Sequence, residues 1–128
     1  MRENLCTFDY AVIRFVPRVE REEFFNVGVI LSCPSQKFLG TRIYLDEQKL
    51  KAFAPNYETE TVKKYLEIIQ KICAGAKESG IIGQLTPRER FYWLAAVRST
   101  IIQTSPIHTG FCHNAEEMLE HLFETIVC

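Results

Sequence analysis

The sequence predicts an α+β fold: a small, mostly antiparallel sheet of about four strands, with two to four helices packed mainly on one face. Three observations carry that expectation. Runs rich in β-branched and aromatic residues, joined by short charged or proline-containing connections, fill the first third of the chain. Apolar residues then recur at three-and-four spacing through the middle and at the end. Residues of the helix-capping type stand just before these periodic segments. At 128 residues, 47% hydrophobic and 24% charged, the chain has the size and composition of one globular domain spanning 1–128.

The first strand is expected over 8–16. Phe8, Tyr10, Val12, Arg14 and Val16 fall on one face and Asp9, Ala11, Ile13 and Phe15 on the other. Both faces are largely apolar, which places the strand inside the sheet. Pro17 stops it, because proline has no N–H to give to a ladder. Glu20-Arg21-Glu22-Glu23 reads as a solvated loop. The second strand, 24–33, puts Phe25, Val27, Val29, Leu31 and Cys33 on one continuous core face, and Phe24, Asn26, Gly28, Ile30 and Ser32 on the other. A third strand, Lys37 to Leu45, follows the Pro34-Ser35 turn, so the three form an antiparallel meander.

The middle of the chain turns helical. Asp46 caps a short helix over Glu47–Phe53, which Pro55 ends. A long helix opens at Thr59 or Thr61, with Val62, Tyr65, Leu66, Ile69, Ile72, Cys73 and Ala76 on one helical face and Gly80 as its terminus. Thr86-Pro87-Arg88-Glu89 has the capping-box pattern and starts a helix over Pro87–Val97. Thr100 to Thr104 reads as a fourth strand stopped by Pro106, and His108 to His113 as a loop. Asn114, with Glu117 three residues on, caps a last helix whose Ala115, Met118, Leu119, Leu122, Phe123 and Ile126 stripe packs inward.

Composition excludes several classes. No apolar run approaches the roughly 20 residues that cross a bilayer, and the start lacks the apolar segment of an export signal, so a cytoplasmic location is expected. The five cysteines are odd in number and irregular in spacing, which favours reduced thiols over a disulfide framework. Net charge is −1, giving no general attraction to nucleic acid or anionic lipid. The distribution is uneven: residues 37–98 carry eleven Lys/Arg against seven Asp/Glu, while 99–128 carry four Glu and no Lys or Arg.

Arg14, Asn26 and Gly28 are the most suggestive constellation. With the first two strands paired, an arginine and an asparagine share one face beside a glycine gap, a combination suited to a carboxylate, a phosphate or a partner's main chain. The plain alternative pairs Arg14 with Asp9 or a loop glutamate. His108, Cys112, His113 and His121 contain zinc-type ligands, but their spacing matches no established zinc pattern, and no metal or other cofactor is expected. No catalytic elbow and no phosphate-binding glycine loop occurs, since Gly80-Ile81-Ile82-Gly83 reads as a helix stop and turn. Lys49, Lys51, Lys63, Lys64 and Lys71, near Tyr44, Tyr57 and Trp93, weakly suit nucleic acid. Core packing accounts for those aromatics more simply.

Tyr10 to Pro17, then Glu22/Glu23-Phe24-Phe25-Asn26-Val27-Gly28-Val29, resembles the bacterial family called domain of unknown function 3037. So do Phe53-Ala54-Pro55, Ile101 to Pro106 and the closing Leu122-Phe123. The resemblance spans nearly the whole chain in order. Where relatives often carry Gly-Glu before the second strand, this chain has Arg21-Glu22 or Glu22-Glu23. The resemblance implies no settled activity. It also implies a partner or regulatory subunit, with a HipA-like kinase as the suggested partner.

The expectation is therefore a non-enzymatic interaction or regulatory module without catalytic residues. Its binding surface would comprise Arg14, Pro17, Arg18, Glu22, Glu23, Asn26 and Gly28, offered to a protein partner. A small enzyme or nucleotide- and phosphate-binding domain using the Arg14/Asn26 cluster is the first rival, and a nucleic-acid-binding module the second.

Overall fold

Strand β1 (Cys6–Arg18) lies in the middle of the sheet, with β2 (Glu23–Cys33) antiparallel along one edge. The computed structural model describes residues 5–18, 21, 23–96 and 100–128. Strand β3 (Phe38–Ile43) pairs with the far edge of β2, completing the expected antiparallel meander. On the other edge of β1 run β4 (Ile102–Thr104) and β5 (His108–Cys112), one after the other and both antiparallel to it. The fold is α+β, as the sequence predicts.

One extra residue reorganises β2. Ile13 pairs with Gly28 and Arg14 with Asn26, so Val27 is left without an opposite number and forms a bulge. An odd insertion reverses the alternation of everything beyond it. Phe25 and Val27 accordingly pack into the larger core with Ile13, Phe15, Ile30, Leu50, Leu66 and Phe91. Val29, Leu31 and Cys33 enter a second cluster on the opposite side, with Phe8, Cys112 and Leu119. The single continuous core face expected for β2 is thus split between two cores. The bulge also fixes the need for glycine at 28, where a Cβ would lie 2.7 Å from the Arg42 carbonyl oxygen and 2.9 Å from the Ile43 side chain.

The β4–β5 edge is continuous because the Ser105 side chain serves as a ladder acceptor next to a proline. Proline at 106 offers no N–H. Buried Ser105 instead donates its own N–H to the Val12 carbonyl (2.8 Å) and accepts the Val12 N–H on its hydroxyl (2.9 Å). Its O–H donates to the Pro106 carbonyl at 2.9 Å. The sequence predicts a strand that ends at Pro106 and a loop over His108 to His113. His108–Cys112 instead form β5, because Ser105 carries the pairing past the proline.

Helix α1 (Glu47–Phe53) starts where expected, with the Asp46 carboxylate accepting the Gln48 and Lys49 N–H groups at 3.1 Å. Helix α2 (Thr59–Ala74) ends at Gly75, whose φ of 70° makes a left-handed cap, rather than at Gly80. Gly80 instead opens the short α3 (Gly80–Gly83). The capping box at Thr86 is present and starts α4 (Pro87–Leu94), three residues shorter than expected, and Val97 lies outside the described residues. Helix α5 (Ala115–Ile126) is capped by Asn114, which accepts the Glu117 N–H at 2.9 Å.

Helices α1, α2 and α4 cover the larger core, while α5 alone among the described helices covers the second. Against β3, α5 approaches closely at Gly40, where a Cβ would fall 2.6 Å from the Phe38 ring and 3.0 Å from Leu119. Arg42 holds the same helix from its other side, ion-paired with Glu120 and stacked 4.6 Å from the Phe123 ring centroid.

Replacing Ser105 by alanine leaves the buried Val12 N–H without an acceptor, and the expected loss is ~1–3 kcal/mol of stability. Urea denaturation measures it. An unchanged midpoint in Ser105→Ala would show that the hydroxyl does not carry the ladder.

Candidate functional site

At the tip of the β1–β2 hairpin the ladder slips again, and Arg18 pairs with Glu23 after Phe15 has paired with Phe25. Proline at 17 breaks the ladder there, and the slip opens a cavity of about 250 Å³. Pro17, Phe53 and Ala54 supply apolar lining, and Arg18, Arg21, Glu23 and Asn56 supply polar groups. Tyr57, at the end of the turn after α1, donates its O–H to the Pro17 carbonyl at 2.8 Å and ties the turn to the strand. Edge-to-face packing of Phe25 on Phe53 and of Phe15 on Tyr57, with centroids 5.4 and 5.5 Å apart, fixes the lining from below. Arg21 and Glu23 form an ion pair at 2.5 Å with both side chains about half exposed, so it contributes little to stability.

Arg14 and Asn26 stand directly opposite each other across β1 and β2, and so on one face of the sheet. The Arg14 guanidinium lies 4.2 Å from the centroid of the exposed Phe24 ring, two residues before Asn26. Its Nε is buried and has no hydrogen-bond partner among the described residues. Asn26 donates from Nδ2 to the Ile126 carbonyl, 3.3 Å away at the end of α5. Gly28 departs from the expected arrangement: the bulge turns it to the other face, against Ile13 and Ile43. The expected residues therefore separate. Arg14 and Asn26 share one face, Pro17, Arg18 and Glu23 line the hairpin-tip cavity, and Gly28 is inside the larger core. Glu22 lies outside the described residues.

Arg14 does not pair with Asp9. That carboxylate is held by Arg88 at 2.5 Å and by the Thr109 hydroxyl at 2.6 Å. Arg88, in the first turn of α4, also donates to Ser32 Oγ (2.9 Å) and to the Tyr92 hydroxyl (2.7 Å), and stacks 4.6 Å from the Tyr92 ring centroid. This latch was not read from the sequence. Its one visible sign was an acidic residue, Asp9, on an otherwise apolar strand face.

The histidines do not converge on a metal site. His108 stacks against Tyr10, with centroids 5.2 Å apart, and Cys112 is buried. Among the described residues, no group of three or more His, Cys, Asp or Glu side chains is placed to hold a metal ion. Of the lysines considered for nucleic acid, Lys63 is within 3.6 Å of Glu47 and 3.8 Å of Glu60, and Lys49 lies over the Phe25 ring. No described helix is long and apolar enough to cross a membrane.

Burial raises the pKa of Asp9, but the hydrogen bonds from Thr109 and Arg88 and the Arg88 charge outweigh it and hold the carboxyl below its ordinary value. A depressed folded-state pKa stabilises above the unfolded value, about 3.9 for Asp, and that stability is lost as pH falls through the folded value. Asp9→Asn should be less stable than the parent chain by ~1–2 kcal/mol at pH 7, a figure reduced for the partial exposure of Arg88. The difference should narrow below about pH 4. Urea midpoints at both pH values test this, and a gap that persists unchanged in acid would refute the assignment.

Comparison with known proteins adds one finding. No curated protein and no solved structure matches the chain. A family-wide sequence profile, described as a protein of unknown function (DUF3037), matches residues 10–127. That span holds the hairpin, the Phe53–Tyr57 turn and the Ser105-Pro106 edge, and over nearly its whole length the chain belongs to the DUF3037 family.

Proposed function

We propose that the chain is a non-enzymatic interaction module, and that the β1–β2 hairpin tip docks a protein partner. The observation that carries this reading is the cavity between Pro17, Arg18, Arg21, Glu23 and the Phe53–Tyr57 turn. At about 250 Å³ it is smaller than the ~300–1,000 Å³ of pockets that enclose small ligands. It suits one side chain of a partner: an apolar stem against Pro17 and Phe53, and a carboxylate turned toward Arg18 and Arg21.

Arg14 supplies a second contact on the opposite face. Stacking on the exposed Phe24 ring restrains its guanidinium, so a partner on this face would meet an arginine already held in place. A partner that grips the hairpin from both sides would meet both arginine sets. The family resemblance suggests a HipA-like kinase in that role, with this chain as its regulatory subunit in the cytoplasm. Carboxylate-rich partners would also be steered toward these arginines before contact.

The test is an affinity measurement. The native chain serves as bait for a co-expressed HipA-like kinase, and calorimetry compares it with Arg18→Ala/Arg21→Ala and with Arg14→Ala. Each variant should bind ~1–3 kcal/mol more weakly, with unchanged thermal stability. Full affinity in both variants would remove the surface. Saturable thermal stabilisation by nucleotides or phosphorylated metabolites would instead favour a small-ligand domain.

A further inference from the structure

Cys6, near the start of β1, stands directly opposite Cys112 of β5 in the antiparallel ladder. Residues paired in this way have Cα atoms about 4.5–5.5 Å apart, inside the ~4.4–6.8 Å that a disulfide spans. Both side chains enter the second core cluster, where Cys33 joins them. The Cys33 sulfur pairs with the Ser35 hydroxyl, 3.7 Å away. Cys33 belongs to β2, however, where a diagonal neighbour of Cys6 is about 7–8 Å away, too far for easy bridging.

The two opposed thiols differ in setting. Cys6 is partly exposed and lines an open cavity of about 440 Å³, which the Arg88 side chain also lines. Hydrogen bonds from the Ser35 and Gln36 side chains hold its thiol below the ordinary value. Cys112 is buried, and burial together with the neighbouring Cys33 pushes its pKa up to about 11. One thiol is thus reachable, with its pKa lowered, and the other is sequestered beside it. Cys73 is remote in the larger core, and burial pushes it up to about 12. Cys128 is exposed and serves as the internal comparison.

We propose that Cys6 and Cys112 form a thiol-oxidation site whose substrate is hydrogen peroxide or an organic hydroperoxide. The Cys6 thiolate attacks the outer peroxide oxygen, the O–O bond breaks, and water or an alcohol leaves after protonation, with Cys6 left as a sulfenic acid. The Cys112 sulfur then attacks the Cys6 sulfur. The S–S bond forms, the S–O bond breaks, and the departing hydroxide leaves as water with the Cys112 proton. The two thiols lose two electrons and the peroxide gains them, and a dithiol reductant reverses the change. The bond would clamp β5 to β1 two residues before the Asn114 cap of α5.

The experiment treats the full chain with hydrogen peroxide and maps its peptides by mass spectrometry without reduction. The expected product joins the Cys6 and Cys112 peptides within one chain, lighter by two hydrogens, and dithiothreitol restores the parent masses. Cys112→Ser should leave Cys6 as a sulfenic acid captured by dimedone, several-fold more than at Cys128. Cys6→Ser should give no intramolecular bond while keeping the parent circular dichroism. A Cys6–Cys33 bond, oxidation confined to Cys128, or no bond in the parent chain would each overturn the site.

Discussion

The structure depends on the extra residue at position 27. Without it, β2 would present one apolar face and one mixed face, and the sheet would need a single layer of helices. With it, Phe25, Val27 and Ile30 feed the core under α1, α2 and α4, while Val29, Leu31 and Cys33 feed the core under α5. The chain thereby buries both sides of its central strands within 128 residues. The bulge costs ladder regularity and demands a glycine, because Gly28 is pressed against the Arg42 carbonyl and Ile43. The same offset brings Arg14 opposite Asn26 and separates both from Gly28.

Polar latches tie helices to the sheet on both of its sides. Arg88 reaches from α4 to Asp9 and Ser32, and Thr109 of β5 approaches the same carboxylate, so an α4 contact and a β5 contact meet at one β1 side chain. On the other side, Gln36 accepts the Ala115 N–H at 2.8 Å and donates to the His113 carbonyl at 2.8 Å, tying the turn after β2 to the start of α5. The Arg88 contacts are charge-assisted and the Ala115 N–H bond is partly buried, so both cost more when broken than surface pairs such as Arg21 with Glu23.

Much of the fold was legible because its signals are local. Asp46, Thr86 and Asn114 each act on N–H groups within three residues, so their capping roles follow from a short window of sequence. The β1–β2–β3 order was legible for the same reason, since short connections favour neighbouring strands. What escaped reading depends on distant partners. Nothing near Val27 marks it as a bulge, because β1 decides the register. Likewise β5 has a mixed His108-Thr109-Gly110-Phe111-Cys112 sequence after a proline, and only Ser105 bonding back to Val12 reveals its continuation. The candidate site was half legible. Arg14 with Asn26 followed from strand pairing, but the cavity at Pro17 needed the Phe53–Tyr57 turn, a segment some thirty-five residues downstream, to be folded against it.

The bare backbone at Gly40 sets the depth at which α5 rests on the sheet, with Phe38 and Leu119 closing the space above it. Even a methyl group there would act as a shim under one end of the last helix. Because that helix is anchored at Arg42 and reaches Asn26 through its final carbonyl, a small lift at the shim would be magnified along its length. The place to feel it would be the Arg14 face, some two turns of helix beyond Leu119.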